Sequence, residues 1–245
     1  MIRKVTYVRG QMVTDDKFAL LTQGELVVTG RLVDASNATL YTSVTHEGQA
    51  MNAIYKPIAG ERPLWDFPDG SLAHREYAAY LISQNCDFNL VPLTILRDGP
   101  YGPGMVQEWI EINEDIDLAI FFSTNDPQLR SMAIFDAIIN NTDRKIGHLL
   151  PSLEGELFGC DHGVTFHTQD KLRTVLWQFS GDPLTDIELE QLASSESVLK
   201  SELDLTPYLT ENEIAALHAR IQRLITTGVM PEPNPDWPAV PWPAF

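Results

Sequence analysis

From residue 24 onward the chain alternates β-branched or aromatic residues with polar ones. The runs GELVVTGRLVD (24–34) and ATLYTSVTH (38–46) repeat at two-residue spacing, the period at which a strand turns one face to a core and the other to water. Gly30 and the segment Asp34 to Asn37 punctuate them, and MNAIYKPI (51–58) predicts a third strand closed by a turn at residues 59–63. PLWDFPDGS (63–71) reads as a loop. The period then lengthens. Residues 71–83 predict a helix with Ser71 as N-cap and with Leu72, Tyr80, Ile82 and the alanines on its apolar side. VPLTILRD (91–98) and GMVQEWIE (104–111) predict two more strands, split by the Gly- and Pro-rich residues 99–103.

Beyond residue 112 the pattern is mostly helical. Residues 113–122 and 127–141 predict helices, the second opened by Asp126 as N-cap with Pro127 in the first turn. HLLPS (148–152) and GELFGC (155–160) predict two short strands around a turn at residues 153–155. Residues 185–199 and 210–227 predict helices, with Thr210 and Glu213 as a capping box. The last fifteen residues hold six prolines, which predicts an extended tail with a fraying end. Residues 1–20 are mixed, suited to a loose arm or a short helix, and no internal repeat is visible. The expected fold class is α+β, with a β-rich lobe at residues 20–111, a mainly helical lobe at 112–230 and a proline-rich extended tail at 231–245. Two-lobed chains commonly bind ligands in the cleft between lobes.

Charge narrows the function classes. With 17 Lys and Arg against 34 Asp and Glu, the formal charge is −17. So acidic a chain argues against nucleic-acid binding, which needs clustered cations, and against docking on an anionic membrane. The first 18 residues lack the apolar run of a signal peptide, and no segment has the length and apolarity of a spanning helix. Cys86 and Cys160 lack CxxC spacing, as expected of buried reduced thiols. A cytoplasmic protein without membrane spans is the resulting expectation.

The chemistry gathers at residues 140–148, NNTDRKIGH, and at Asp161-His162-Gly163 thirteen positions later. Asp143 follows the apolar run FDAII and Asp161 follows ELFGC. A carboxylate wedged between buried segments costs several kcal/mol unless a cation, a hydrogen-bond set or a ligand offsets it. Two further polar residues stand out upstream: Lys56 in an otherwise apolar strand, and Glu76 on the helix after it.

A strand Lys, a helix Glu, a loop Asp and a post-strand Asp, in that order, resemble the working set of kinase-fold phosphotransferases. Asp143-Arg144-Lys145 resembles the Asp-Arg-His/Lys motif of the phosphatidylinositol 3-/4-kinase-like branch, which is distantly similar to HipA-type and Fam20-type kinases, and Asp161-His162-Gly163 stands where that branch has Asp-Phe-Gly or Asp-Asn-Gly. The segments RLVDASNATL, YKPIAGERPLWDFPDG, GPGMVQEWIE, DRKIGHLLP and KLRTVLW are similar to an actinobacterial phosphatidylinositol-kinase-like family of about this length.

The resemblance implies a two-lobed protein-kinase-like fold using ATP and Mg²⁺ or Mn²⁺. It implies that Lys56 holds nucleotide phosphates and is steadied by Glu76, that Asp143 orients the acceptor hydroxyl, and that Asp161 binds metal. The backbone of residues 105–110, with Gln107, Glu108 and Trp109, would meet the adenine. No Gly-rich loop precedes Lys56, so Ser36 and Asn37 become the candidate phosphate-loop residues. Where the pattern keeps a metal-binding Asn, five positions after Asp143, stands His148; imidazole suits Mn²⁺ better than Mg²⁺. Lys145, beside the proposed base with Arg144, would stabilise the transferring group. Trp65, Trp109 and Trp177 are expected in core or interlobe packing, and His162 in a positional role. Three functions remain open at this point: phosphoryl transfer to a protein or small-molecule hydroxyl, nucleotide binding without turnover to regulate a partner, or AMP transfer from an inverted nucleotide.

Overall fold

A computed structural model describes residues 15–32 and 37–245. Helix α1 (Asp15–Gln23) leads into strands β1 (Glu25–Arg31), β2 (Leu40–His46) and β3 (Gln49–Pro57). Helix α2 (Leu72–Asn85) follows, then the hairpin of β4 (Thr94–Gly99) and β5 (Gly102–Glu108). The five strands form one antiparallel sheet in the order β1-β2-β3-β5-β4. Because β5 inserts between β3 and β4, Lys56 near the end of β3 pairs with Met105. The two-residue alternation sets the faces: Leu40, Thr42 and Val44 of β2 are buried in turn. Leu21, Leu26, Leu40, Val44, Tyr55 and Val106 close one core under the sheet.

The second half comprises a single turn, α3 (Leu118–Phe121), then α4 (Pro127–Ile139), the hairpin β6 (Leu149–Pro151) and β7 (Leu157–Gly159), and helices α5 (Asp186–Ser201) and α6 (Glu211–Thr227). Its core is the larger one, and α4 lies at its centre, with Leu129, Met132, Phe135, Ile138 and Ile139 fully enclosed. Each such side chain contributes about 1.5–3 kcal/mol on leaving water. Helix α2 also belongs to this core through Ala78, Ala79 and Ile82, while Tyr80 touches both cores. Helix α2 is therefore shared between the two halves.

Local chemistry corrects several expectations. Residues 113–117 are not helical, because Asn113 and Asp117 turn their side chains onto the backbone amides of Asp115 and Ala119. Only α3 remains of that helix. Ser71 does not cap α2; its hydroxyl donates to the Pro68 carbonyl, and the Glu61 carboxylate accepts from the Leu72 and Ala73 amides instead. The expected caps at Asp126 and at Thr210 with Glu213 do form. Helix α4 stops at Ile139, since Asn140 takes a left-handed conformation with φ of 53°.

The proline-rich tail is held rather than frayed, and the Trp237 amide closes a turn onto the Asn234 carbonyl within it. The Ala239 carbonyl accepts from the Thr174 amide and the Trp177 indole, and the Ala244 carbonyl accepts from the Ile146 amide. Trp65 is 84% exposed, against the expectation of packing. Among the described residues no helix is long and apolar enough to cross a membrane.

Candidate active site

Lys56 sits on the face of β3 opposite the sheet core, and its ammonium reaches two carboxylates. It lies 2.6 Å from Glu76 Oε1 on α2 and 2.8 Å from Asp161 Oδ1 after β7. Burial works against the Lys56 charge, but Asp161 and Glu76 together raise its pKa. The Lys56 ammonium holds Asp161 well below the usual carboxylate range. Burial pushes Glu76 upward, and Lys56 pulls it back. Glu76 also accepts from the His162 amide at 2.8 Å, so one carboxylate ties the strand Lys to the loop that carries Asp161. Asp161 is in the left-handed region, φ 60°, which Asp tolerates better than most residues. This aims its side chain back at β3.

The loop after α4 is built on buried polar bonds. Asn140 Nδ2 donates to the His167 and Gln169 carbonyls, and Thr142 donates twice to the Val164 carbonyl. Arg144 does not add charge beside Asp143 as expected. It is fully buried, forks onto Asp136 of α4 at 2.8 and 2.9 Å, donates to the Cys160 carbonyl and meets His162 Nε2 at 2.7 Å. Burial lowers the His162 pKa well below its ordinary value, so the ring is neutral and accepts from Arg144. Arg144 is thus the tie between the Asp143 loop and the Asp161 loop. Asp136 was not singled out from the sequence, although a lone carboxylate inside the apolar run MAIFDAII is a visible signal.

Asp143 stands free of that tie. Lys145 Nζ is 3.4 Å and Arg173 Nη2 3.7 Å from its two oxygens. Burial raises its pKa, Lys145 and Arg173 counter this, and Asp161 adds to it. His148 Nε2 lies 3.5 Å from Asp161 Oδ2, and burial lowers the His148 pKa to about 4, leaving a neutral imidazole near pH 7. Two donors do not make a metal site by themselves, and among the described residues no group of three or more His, Cys, Asp or Glu is placed to hold one. Asp161 suits a divalent ion whose remaining ligands come from phosphate and water. His148 Nδ1 accepts from the Lys145 amide at 3.4 Å, so the neutral ring carries its proton on Nε2. The ring would have to change tautomer to join as a ligand, one that suits Mn²⁺ better than Mg²⁺.

Lys56, Glu76, Asp143 and Asp161 open on one cavity of about 340 Å³, which Asn37 also lines. Asn37 Oδ1 accepts from the Arg62 amide. Ser36 lies outside the described residues. Gln107, Glu108 and Trp109, expected to meet the adenine, do not line this cavity. Gln107 bonds Thr94, the Glu108 amide bonds the Leu93 carbonyl, and the Trp109 amide bonds the Asn52 carbonyl. Glu108 pairs with Lys17 at 2.6 Å, and Trp109 packs edge-on against Tyr41. Arg62, Arg173, Trp65 and Trp237 line the cavity and were not singled out as site residues.

No family model matches the chain. Over 268 aligned residues it is 41% identical to Protein Rv2133c of Mycobacterium tuberculosis (strain ATCC 25618 / H37Rv), covering 94% of this chain and 96% of that one. The chain belongs to the Rv2133c family. The name of that relative states no activity, so the chemistry of the Rv2133c family has to be argued from the site. Among solved structures, the Helicobacter pylori proinflammatory kinase CtkA aligns with a TM-score of 0.43 and 13% identity, over 86% of this chain and 94% of that one. A likeness of that degree carries no argument about fold or activity.

Proposed function

We propose that the chain is a two-lobed, kinase-like phosphotransferase that moves the γ-phosphoryl group of ATP to a hydroxyl. The observation that carries this reading is the Lys56 ammonium bridging Glu76 and Asp161 at the head of a cavity that also holds Asp143. Lys56 neutralises nucleotide phosphate oxygens, and Glu76 keeps it extended. The acceptor hydroxyl gives its proton to Asp143 while its oxygen bonds the γ-phosphorus. The bond to the β–γ bridging oxygen breaks, and its electron pair leaves on ADP. Burial raises the Asp143 pKa, which makes it a stronger base than an exposed carboxylate. Lys145, 3.4 Å from Asp143, would meet charge on the transferring group. Mg²⁺ or Mn²⁺ held by Asp161 and His148 would supply charge neutralisation at the phosphates.

A second reading has its own support. Both Asp161 oxygens are engaged, by Lys56 and by His148, and the Glu108 and Trp109 amides are bonded within the sheet. A nucleotide bound without turnover, or bound inverted so that AMP is transferred, accommodates both facts. Pure protein incubated with Mg²⁺ or Mn²⁺ and γ- or α-labelled ATP separates the three. Transfer of γ-label, lowered about 100-fold or more in both Asp143→Ala and Asp161→Ala, is the expected result. Transfer of α-label supports AMP transfer, and a nucleotide-dependent melting shift without transfer supports the non-catalytic reading. No transfer and no shift overturns all three.

A further inference from the structure

The wall of the cavity beyond Asp143 carries residues to which the phosphotransferase reading assigns no role. Its carboxylates are spent: Glu61 caps α2, Asp66 pairs with Lys171 at 2.8 Å, and Glu76 and Asp161 share Lys56. Its cations are not all spent. Arg62 has no carboxylate within ion-pair distance among the described residues, although its backbone is fixed by Asn37. Arg173 is anchored by its Nε donating to the Thr142 carbonyl, with Nη2 turned toward Asp143 at 3.7 Å.

A guanidinium that lines the pocket without a carboxylate partner among the described residues favours anions there, and its fork suits phosphate. Beside it stands Trp65, 84% exposed yet held from below by the buried Lys171 ammonium, 4.6 Å from its ring and 4.7 Å from the Trp237 ring. A solvent-facing indole is a platform for a carbon skeleton. The volume of about 340 Å³ is that of a small-molecule site.

Resting on the phosphotransferase reading above, we propose that this rim is the acceptor subsite and takes a small water-soluble alcohol that already carries a phosphate. Arg62 and Arg173 hold the phosphate, Trp65 supports the carbon chain, and the free hydroxyl reaches Asp143. Cationic amino alcohols and neutral polyols are disfavoured.

The test titrates the full chain with glycerol 3-phosphate and glucose 6-phosphate, following tryptophan fluorescence and melting temperature. Glycerol, glucose, ethanolamine, inorganic phosphate and a serine-containing peptide are run alongside. The expected result is saturable binding of a phosphorylated alcohol at least about tenfold tighter than of its parent alcohol or of inorganic phosphate. Arg62→Gln and Trp65→Ala should each weaken that binding about tenfold while the melting shift from ATP with metal persists. The proposal is overturned by equal binding of parent alcohols or inorganic phosphate, by unchanged affinity in both variants, by binding of the peptide alone, or by no response to any compound. If the phosphorylated alcohol binds as expected but ATP with metal gives no shift, the ligand site stands and the phosphotransferase reading falls.

Discussion

At the scale of single residues, the site is a set of charges whose protonation is fixed by burial and by neighbours, and this sets a pH dependence. His148 is held neutral, with its pKa lowered to about 4 mainly by burial, while in the unfolded chain a His titrates near 6.5. Between those values the unfolded state binds the extra proton, so stability is complete above about pH 6.5 and falls as pH drops toward 4. With the side chain 14% exposed, the loss from His148 amounts to about 2–3 kcal/mol, and His162, also lowered, acts in the same direction. Urea unfolding of metal-free protein from pH 7 to 4 should show this decline, and His148→Gln should flatten part of it. A His148→Gln profile parallel to the native one would rule out the assignment. The residues that sequence reading could find are those whose type clashes with their surroundings. Lys56 in a strand, Asp143 and Asp161 after apolar runs, and Glu76 on a helix all meet at one cavity. Arg62 and Trp65 escaped it because a charged or aromatic residue in a polar loop breaks no pattern.

At the scale of elements, what the hydrophobic period could and could not reveal follows from where each element gets its energy. The strands of the sheet and helices α4, α5 and α6 bury one face or more, so their spacing marks them, and their ends miss by a few residues only. The segment 113–117 failed because Asx turns compete with the helix there, and side-chain capture of backbone amides is not periodic. The start of α2 failed for a related reason: its cap, Glu61, lies eleven residues before Leu72, beyond any local window. That cap joins the end of β3 to the helix that presents Glu76, and it is exposed to a direct test. Glu61→Gln keeps one acceptor but removes the negative charge at the helix N-terminus. It should lower stability by about 1 kcal/mol, read as a reduced urea midpoint with unchanged slope. An equal loss in Ser71→Ala with none in Glu61→Gln would return the cap to Ser71.

At the scale of the whole molecule, three stretches distant in sequence are fastened around the cavity by one side chain. Lys171, 3% exposed, pairs with Asp66 of the β3–α2 loop, lies against Trp65 of the same loop, and lies against Trp237 of the tail. Asn234 of the tail bonds the Asp170 carbonyl beside it, and farther along Ala239 and Ala244 hold the tail to residues 174–177 and to Ile146. The tail therefore closes the side of the cleft next to the Asp143 loop, a contact that proline content alone could not predict. Exposed ion pairs contribute little, but this one is buried and flanked by two aromatic faces, so its removal should register. Lys171→Met preserves the stem and most of the volume while deleting the charge, leaving Asp66 without its partner. The expected cost is about 2–4 kcal/mol in urea unfolding. Because the tail loses its central contact, cleavage within residues 231–245 under limited proteolysis should accelerate before global unfolding sets in. Equal protease resistance together with an unchanged urea midpoint would mean that the tail is held by its hydrogen bonds to Asp170, Thr174, Trp177 and Ile146 without Lys171. Faster tail cleavage with the sheet and helices intact by circular dichroism would instead locate the fastening at Lys171.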